Sequence, residues 1–176
     1  LVGENGSGKS TLVGIVSGTV SRDRGELSIG GTPVTTARPA TSQRHGAITV
    51  FQDGSLIRDL TVAQNLYLGT GSGHRPSFGK MADWAESLLQ SYGFDIDTTV
   101  KASALPPGDR QLVEIVRAVA CEPKVLILDE ATSALDSKGV DFVLDLMRQV
   151  AAKGSAVLFV THRLSEVMRV ADRVTV

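Results

Sequence analysis

The sequence predicts an α/β domain with a mostly parallel core β-sheet, and two observations carry that prediction. Short apolar runs alternate with segments whose apolar residues recur at helical spacing, which is typical of strand–helix–strand units. The run VLIL at Val125–Leu128 is apolar at every position, as expected of a strand buried on both faces of a parallel sheet. We therefore expect core strands at Ala47–Phe51, Val125–Asp129 and Ala156–Thr161.

Other segments predict elements outside the core sheet. Arg24–Val34 (RGELSIGGTPV) has the pattern of a strand and turn on a separate small β-sheet. The chain becomes helical between Leu60 and Leu105, after which a further helix follows. An apolar stripe in this region is formed by Met81, Trp84, Leu88, Leu89 and Tyr92, after a glycine-rich loop at Gly69–Gly79. A later helix closes near Gly154 and carries a stripe of Val140, Val143, Leu144, Met147 and Val150.

Composition and charge exclude several classes of protein. The 176 residues suffice for one domain with a core, and 42% hydrophobic with 21% charged residues is ordinary for a soluble globular protein. A net charge of −1 gives no basic surface for nucleic acid. Cys121 is the single cysteine, which excludes an internal disulfide and fits a reducing compartment. No apolar run approaches the roughly 18 residues of a membrane span, and no secretory signal is visible.

Both ends of the sequence have the pattern of interrupted strands. The chain starts with Leu1 and Val2, directly before a glycine-rich loop, and it stops within the alternating run Asp172–Val176. We therefore expect the chain to be part of a longer polypeptide.

The nine residues Gly3–Thr11 (GENGSGKST) fit the phosphate-binding pattern G-x-x-x-x-G-K-[ST]. They lie between an apolar run and a predicted helix, which is the context that the motif requires. Glycines allow backbone N–H groups to converge on phosphate oxygens, and the helix N-terminus adds a favourable dipole. This pattern predicts that Lys9 reaches the β- and γ-phosphates and that the Ser10 hydroxyl ligates Mg²⁺.

Polar residues follow two of the predicted core strands. VLILDEATSALD ends a buried strand in adjacent acids, of which Asp129 is placed to hold Mg²⁺ through water and Glu130 to polarise an attacking water as a general base. VLFVTHRL places His162 just after the next strand. Because α/β sheets bind ligands at the carboxyl ends of their strands, we expect His162 to belong to the same site.

Together these motifs resemble the nucleotide-binding domain of ABC transporters. GENGSGKST matches the Walker A motif, Gln52 in TVFQD the Q-loop, and VLILDE the Walker B motif. LPPGDRQLVEIVRAV stands where the signature LSGGQ and its helix belong, with SALD as the D-loop and VTHRL as the H-loop. The six motifs occur in family order and cover essentially the whole chain. The resemblance implies a single, truncated ABC-type P-loop ATPase domain over residues 1–176, with a small antiparallel β-subdomain and a helical signature subdomain at about 60–120.

The resemblance also implies a set of site residues and ligands. The ligands are ATP and Mg²⁺. Gln52 would contact the metal and sense the membrane subunit, and His162 would hold the γ-phosphate and the attacking water beside the base Glu130. Metal contacts fall on Ser10, Gln52 and Asp129. The residues that would bind ATP are Gly3, Asn5, Gly6, Ser7, Gly8, Lys9, Ser10 and Thr11. The D-loop is Ser133, Ala134, Leu135 and Asp136.

Partners follow from the same resemblance. Two ATPase domains would face each other head to tail, so that each ATP lies between one Walker A motif and the opposite signature loop. LTVAQNLYLG (Leu60–Gly69), GDRQLVEIVRA and THRLSEVMRVADRVTV are similar to tandem ATPases of bacterial monosaccharide importers, and LVGENGSGKSTL to the first of the two domains. This implies ATP-driven import of a sugar or related solute, with a second ATPase domain in the same chain, permease subunits, a solute-binding protein, no nucleic acid, and a peripheral position on the cytoplasmic face of the inner membrane.

The signature segment departs from the family pattern LSGGQ at the serine; Pro107 and Asp109 also differ, as variations that the subfamily accepts, and Gly108 is retained. It comprises Leu105, Pro106, Pro107, Gly108 and Asp109, with proline in place of the signature serine at Pro106. Proline has neither a hydroxyl nor an N–H group, so this position loses two donors to a partner's γ-phosphate. We expect a loop that precedes a helix from Asp109, whose positive end points to that phosphate.

Two other function classes remain as alternatives. One is a soluble, non-transport ABC ATPase. Repair and chromosome ATPases insert a long coiled coil between the Q-loop and the signature, whereas Gln52 and Leu105 are 53 positions apart with no heptads, so translation-associated tandem proteins are the version that stays open. The other alternative is a domain that holds ATP for regulation, against which the intact Lys9, Asp129, Glu130 and His162 argue.

Overall fold

The computed structural model describes residues 1–4, 6–71 and 76–176, which form five β-strands and seven α-helices. The strands are β1 (Ser28–Ile29), β2 (Thr32–Pro33), β3 (Ala47–Val50), β4 (Val125–Asp129) and β5 (Ala156–Val160). The helices are α1 (Lys9–Ser17), α2 (Pro39–His45), α3 (Val62–Gly69), α4 (Met81–Ser91), α5 (Pro107–Val119), α6 (Ser137–Ala152) and α7 (Leu164–Val170).

The core sheet is parallel and has the strand order β3-β4-β5. All three predicted core strands are confirmed; β4 has the predicted bounds, and β3 and β5 each end one residue earlier. In the register of the sheet, Val50 pairs with Leu128, and Asp129 pairs with Val160. The carboxyl ends of the three strands therefore meet at one edge, which is where the predicted site residues follow.

Helices cover both faces of the sheet. On one face, Leu126 and Leu128 pack against residues of α5 and α6, such as Ile115 and Leu144. On the other face, Ile127 packs with Val13 of α1. Residues 126–128 are completely buried, so the prediction of a strand buried on both faces is confirmed. This three-layer packing fixes α1, and the loop before it, relative to the end of β4.

The small antiparallel sheet of β1 and β2 is also confirmed, within the predicted range Arg24–Val34. Ile29 pairs with Thr32 across a two-residue turn. Both turn residues, Gly30 and Gly31, have positive φ values of 57° and 77°, as a tight hairpin of this length requires.

Helices α3, α4 and α5 enclose a second apolar cluster. The stripe predicted for α4 lies inward: Leu89 is completely buried, and Met81, Trp84, Leu88 and Tyr92 pack partly buried around it. The apolar stripe predicted for the later helix, from Val140 to Val150, lies on α6 and is entirely buried. Part of the predicted loop Gly69–Gly79, residues 72–75, lies outside the described residues. In the described ranges, no helix combines the length and the apolar character that crossing a membrane requires.

Two sequence-based expectations are wrong. Neither Leu1–Val2 nor residues 172–176 form a strand. A single backbone hydrogen bond joins them, from Val2 N–H to the Thr175 carbonyl at 2.9 Å, and one bond does not make a ladder. Helix α5 begins at Pro107 and not at Asp109. Proline suits the first helical position because its missing N–H would have no intrahelical partner there.

Candidate nucleotide-binding site

The loop before α1 has a backbone that requires glycine. Gly6 and Gly8 have φ values of 87° and 91°, in the left-handed region that other residues rarely adopt. A Cβ at Gly3 would lie 2.5 Å from Ser7 Oγ, so a side chain does not fit there. Among the described residues, no side chain caps the N-terminus of α1, and a helix N-terminus of this kind can bind an anion through its first N–H groups.

Lys9 folds back over this loop. Its ammonium group donates to the carbonyl oxygens of Gly3 and Glu4, both at 2.8 Å, and more weakly to Ser7 Oγ at 3.4 Å. The positive charge is thus held at the mouth of the loop. The neighbouring predicted contact residues Gly6, Ser7, Gly8, Ser10 and Thr11 are all exposed, while predicted Asn5 lies outside the described residues.

Asp129 is the last residue of β4. Burial raises the pKa of its carboxyl, the negative charge of Glu130 raises it further, and the positive charge of Lys9 lowers it. The charges of the Lys9 ammonium group and the Asp129 carboxylate therefore interact. The end of β4 therefore carries negative charge that a cation would stabilise.

Glu130 has a strained backbone. Its φ of 49° lies in the left-handed region, which is uncommon for a residue other than glycine. Its N–H donates to the Val160 carbonyl at 3.0 Å, and its carbonyl accepts from Ser133 N–H at 3.0 Å, so both neighbouring segments hold this conformation. Strain of this kind clusters at functional sites, where the surrounding structure maintains it.

His162 lies beside Glu130. Their side chains approach to 3.6 Å, from His162 Nδ1 to Glu130 Oε1, and the imidazole is 62% exposed. The structure thus brings together two residues that were predicted to follow separate core strands. The imidazole is open to solvent and to a ligand. Gln52 is also exposed and follows β3 at the same edge of the sheet.

The segment at the start of α5 contacts the segment after β4. The carbonyl of Pro106 accepts a hydrogen bond from Arg110 N–H at 3.1 Å, as expected of an N-cap residue, and no side chain caps this helix end. A Cβ at Gly108 would lie 3.4 Å from the carbonyl oxygen of Ala134. Asp136 caps α6, since its Oδ1 accepts from Gly139 N–H at 2.8 Å.

Sequence reasoning missed Glu166, a buried carboxylate behind the site. Its Oε2 accepts hydrogen bonds from Thr132 Oγ1 at 2.8 Å and Thr161 Oγ1 at 3.1 Å, and its Oε1 accepts from Arg163 at 3.2 Å. Glu166 thereby ties the segment after Glu130 to the segment that contains His162. A glutamate at the third position of α7 is a typical helix N-terminal pattern, and that signal could have identified it.

The sequence of the chain matches a known family and known relatives. Residues 1–133 match the ABC transporter family. The Escherichia coli K12 galactofuranose transporter ATP-binding protein YtfR is 39% identical over 181 residues, and the Rhodococcus jostii ribose import ATP-binding protein RbsA is 37% identical over 179 residues. Each of these alignments covers 100% of this chain but 36% of the relative. The chain therefore spans about a third of the length of these relatives.

The fold is similar to solved ABC cassettes. The dimeric structure of MJ0796, a bacterial ABC transporter cassette, matches with a TM-score of 0.80 and 28% sequence identity, covering 96% of this chain and 75% of that one. A structure of MJ0796 in a post-hydrolysis state, bound to ADP and Pi, matches with a TM-score of 0.82 and 26% identity over the same shares of the two chains. The predicted P-loop ABC fold is confirmed.

Proposed function

This chain belongs to the ABC transporter family, and from that premise we propose that it binds and hydrolyses ATP to power import of a solute, a sugar or a related compound, through a membrane permease. One observation carries the proposal. Asp129, Glu130 and His162 lie where two core strands end at one edge of the sheet, and the positive charge of Lys9 acts to lower the pKa of Asp129. Phosphate-binding donors, a site for a cation and a base beside an imidazole are the groups that phosphoryl transfer to water requires.

The phosphate groups of ATP are assigned to the loop before α1. Its glycines leave backbone N–H groups unobstructed, and the uncapped helix N-terminus adds about half a positive charge. Lys9 donates to carbonyl oxygens of the same loop, and phosphate oxygens would take over those hydrogen bonds. When nucleotide binds, the Lys9 ammonium group would therefore exchange neutral carbonyl acceptors for charged phosphate oxygens.

Mg²⁺ is assigned to Asp129 at the end of β4, with Ser10 of α1 and Gln52 after β3. The candidate ligands Ser10, Gln52 and Asp129 supply hydroxyl, amide and carboxylate oxygens, which are the hard donors that this ion prefers. Burial and the neighbouring Glu130 make the charge of Asp129 costly without a cation. When bound, Mg²⁺ would neutralise charge on the β- and γ-phosphate oxygens.

Glu130 is assigned the general base. The strained backbone holds its carboxylate within 3.6 Å of His162, whose exposed ring would hold the γ-phosphate and orient the attacking water. Glu130 would accept a proton from that water as the oxygen attacks phosphorus. Glu166 maintains the spacing of the two residues from behind, through the threonines on both segments.

The proposed partner is a second ATPase domain that packs head to tail. The signature segment, Leu105–Asp109, would complete the partner's site, and the D-loop, residues 133–136, would lie at the interface. Dimeric cassettes among the solved structures support this arrangement, and the greater length of the curated relatives supports a second domain in the same chain. The relatives' names, which specify galactofuranose transport and ribose import, support sugar import. Permease subunits, a solute-binding protein and a peripheral position at the inner membrane are further parts of the proposal.

Replacing Asp129 with asparagine in the full-length protein tests the metal assignment. The pKa of Asp129 is raised in the folded protein, so protonation of this carboxyl stabilises the folded state. That stabilisation is fully present below the ordinary aspartate pKa and is lost as the pH rises through the raised pKa. We therefore expect Asp129→Asn to raise the thermal midpoint of the nucleotide-free protein at neutral pH, by less as the pH falls. The same variant should lose Mg²⁺-dependent ATP hydrolysis.

Calorimetry at several pH values and a phosphate-release assay across Mg²⁺ concentrations measure these effects. The control is Asp83→Asn, at an exposed aspartate on α4. An unchanged Mg²⁺ dependence in Asp129→Asn would remove Asp129 from the metal site. Absence of any ATP hydrolysis by the unaltered protein, assembled with its permease, would refute the proposed function itself.

A further inference from the structure

Glu114 is a buried carboxylate on α5 that the proposed chemistry leaves without a role. It lies 4% exposed, on the helix that starts with the signature segment. Its Oε1 accepts hydrogen bonds from two successive backbone N–H groups, those of Ser55 at 2.6 Å and Leu56 at 3.1 Å. Hydrogen bonds to a buried charge are among the stronger ones in proteins, so this carboxylate anchors the loop that contains Ser55 and Leu56.

The anchored loop is the one that follows Gln52. It approaches Glu114 so closely at Gly54 that a Cβ there would lie 2.9 Å from Glu114 Oε1, and the φ of Gly54 is 73°. Gly54 N–H in turn donates to the Phe51 carbonyl at 3.3 Å, which joins the anchored residues to those directly before Gln52. The position of Gln52 thus depends on a turn that is held from α5.

Arg117 reinforces the same contact one helical turn later. Its guanidinium group donates to the Ser55 hydroxyl. Burial lowers the pKa of Arg117, and the negative charge of Glu114 raises it. Two charged side chains of α5 therefore hold Ser55, one by its backbone and one by its side chain. The second carboxylate oxygen of Glu114, Oε2, is buried and receives no hydrogen bond from the described part of the chain.

We propose that Glu114 is a positioning residue that fixes the Gln52 loop to α5 and so sets where Gln52 meets the metal of the ATP site. This inference rests on the proposed function for its reaction, but the anchoring itself does not. Without the carboxylate, two buried N–H groups lose their acceptor, and the loop is released from the helix. Gln52 then samples positions away from the end of β4.

The test uses Glu114→Ala in the full-length protein assembled with its permease. We expect the turnover of ATP to fall roughly 10-fold, the scale of one lost hydrogen bond to a charged group. The half-saturating Mg²⁺ concentration should rise, while ATP affinity without metal should stay unchanged. Amide hydrogen exchange of a peptide spanning residues 53–57 should accelerate roughly 10-fold on the same basis. Glu86→Ala, at an exposed glutamate on α4, is the matched control.

A second variant, Gly54→Ala, disrupts the contact between the loop and Glu114 from the loop side. It keeps the proposal testable if Glu114→Ala does not fold. Gly54→Ala forces a methyl group towards Glu114 Oε1, whereas Gly25→Ala imposes a similar backbone strain (φ 88°) with no atom within 4 Å. Gly54→Ala should reproduce both the exchange and the Mg²⁺ effects, Gly25→Ala neither, and Gly54→Ala should add little to Glu114→Ala.

The outcomes separate the two proposals. Unchanged exchange of residues 53–57 in both Glu114→Ala and Gly54→Ala overturns the anchoring role. Faster exchange with an unaltered Mg²⁺ dependence overturns the link from Glu114 to Gln52. If the unaltered assembly hydrolyses no ATP, the proposed function fails, and the exchange measurement still decides whether Glu114 anchors the loop.

Discussion

Replacing Glu130 with glutamine is expected to lower ATP hydrolysis at this site by at least ~10²-fold, the usual scale for loss of a general base. Glutamine has nearly the same shape but cannot accept the proton of the attacking water. The phosphate contacts are proposed to come from the loop before α1 and not from Glu130, so ATP binding should be retained. Single-turnover phosphate release in the full-length assembly measures the chemical step.

The geometry at Glu130 also defines the control. Glu130 has a φ of 49°, and its backbone hydrogen bonds to Val160 and Ser133 do not involve the side chain. Glu130→Gln should therefore not lower the thermal midpoint, and Glu122→Gln serves as a comparison at a second described non-glycine residue with a φ of 49°. Unchanged turnover in Glu130→Gln would remove Glu130 from the catalytic role.

Restoring serine at Pro106 is expected to raise turnover at the partner domain's site about tenfold or more, because two donors to a charged phosphate oxygen are regained, each worth roughly 1.5–3 kcal/mol. Pro106 is the N-cap of α5 and Pro107 its first residue, so neither offers an N–H group to a ligand. The N–H groups of Gly108 and Asp109 are then the first donors at this helix end. The unaltered protein should therefore have asymmetric sites, one hydrolysing and the other slow.

The measurement silences each site in turn through its own Walker B glutamate and compares Pro106→Ser with the unaltered full-length protein. Turnover should rise only when the partner's glutamate is intact. Equal turnover at the partner's site in both proteins would refute the asymmetry. A rise at the site of Lys9 would refute the head-to-tail assignment.

The core sheet was predictable because its signal is local. Val125–Asp129 is apolar along its whole buried length, and strand β4 has the same bounds as the predicted strand. Residues 172–176 carry an equally regular alternation but form no strand, because a strand exists only where a partner supplies a ladder. Pro107 led to the opposite error, a helix start placed two residues too late. A pair of prolines is typical of a helix boundary, but proline also fits the first helical position.

Of the proposed site, the sequence predicted the motif residues but not the buried residues that hold them in place. Lys9, Asp129, Glu130 and His162 belong to motifs whose spacing reflects chemistry. Glu114 and Glu166 are buried carboxylates that each accept a hydrogen bond from a residue 34 to 59 positions away along the chain, and Glu166 also has nearer partners. A helical pattern places charged residues on the solvent face, so the inward position of Glu114 is visible only in tertiary contacts, whereas Glu166 carries just the weak signal of its place in the first turn of α7.

Equilibrium binding of ATP to the full-length protein tests most directly that the Lys9 loop and the end of β4 form one nucleotide site with divided roles. The partner domain's Walker A lysine is replaced so that binding reports this site alone. We expect Glu130→Gln to bind ATP as tightly as the protein with Glu130 intact. Lys9→Ala should bind roughly 10- to 100-fold more weakly, because it loses a charged donor to phosphate. Equal affinity in Lys9→Ala, or loss of binding in Glu130→Gln, would contradict this division.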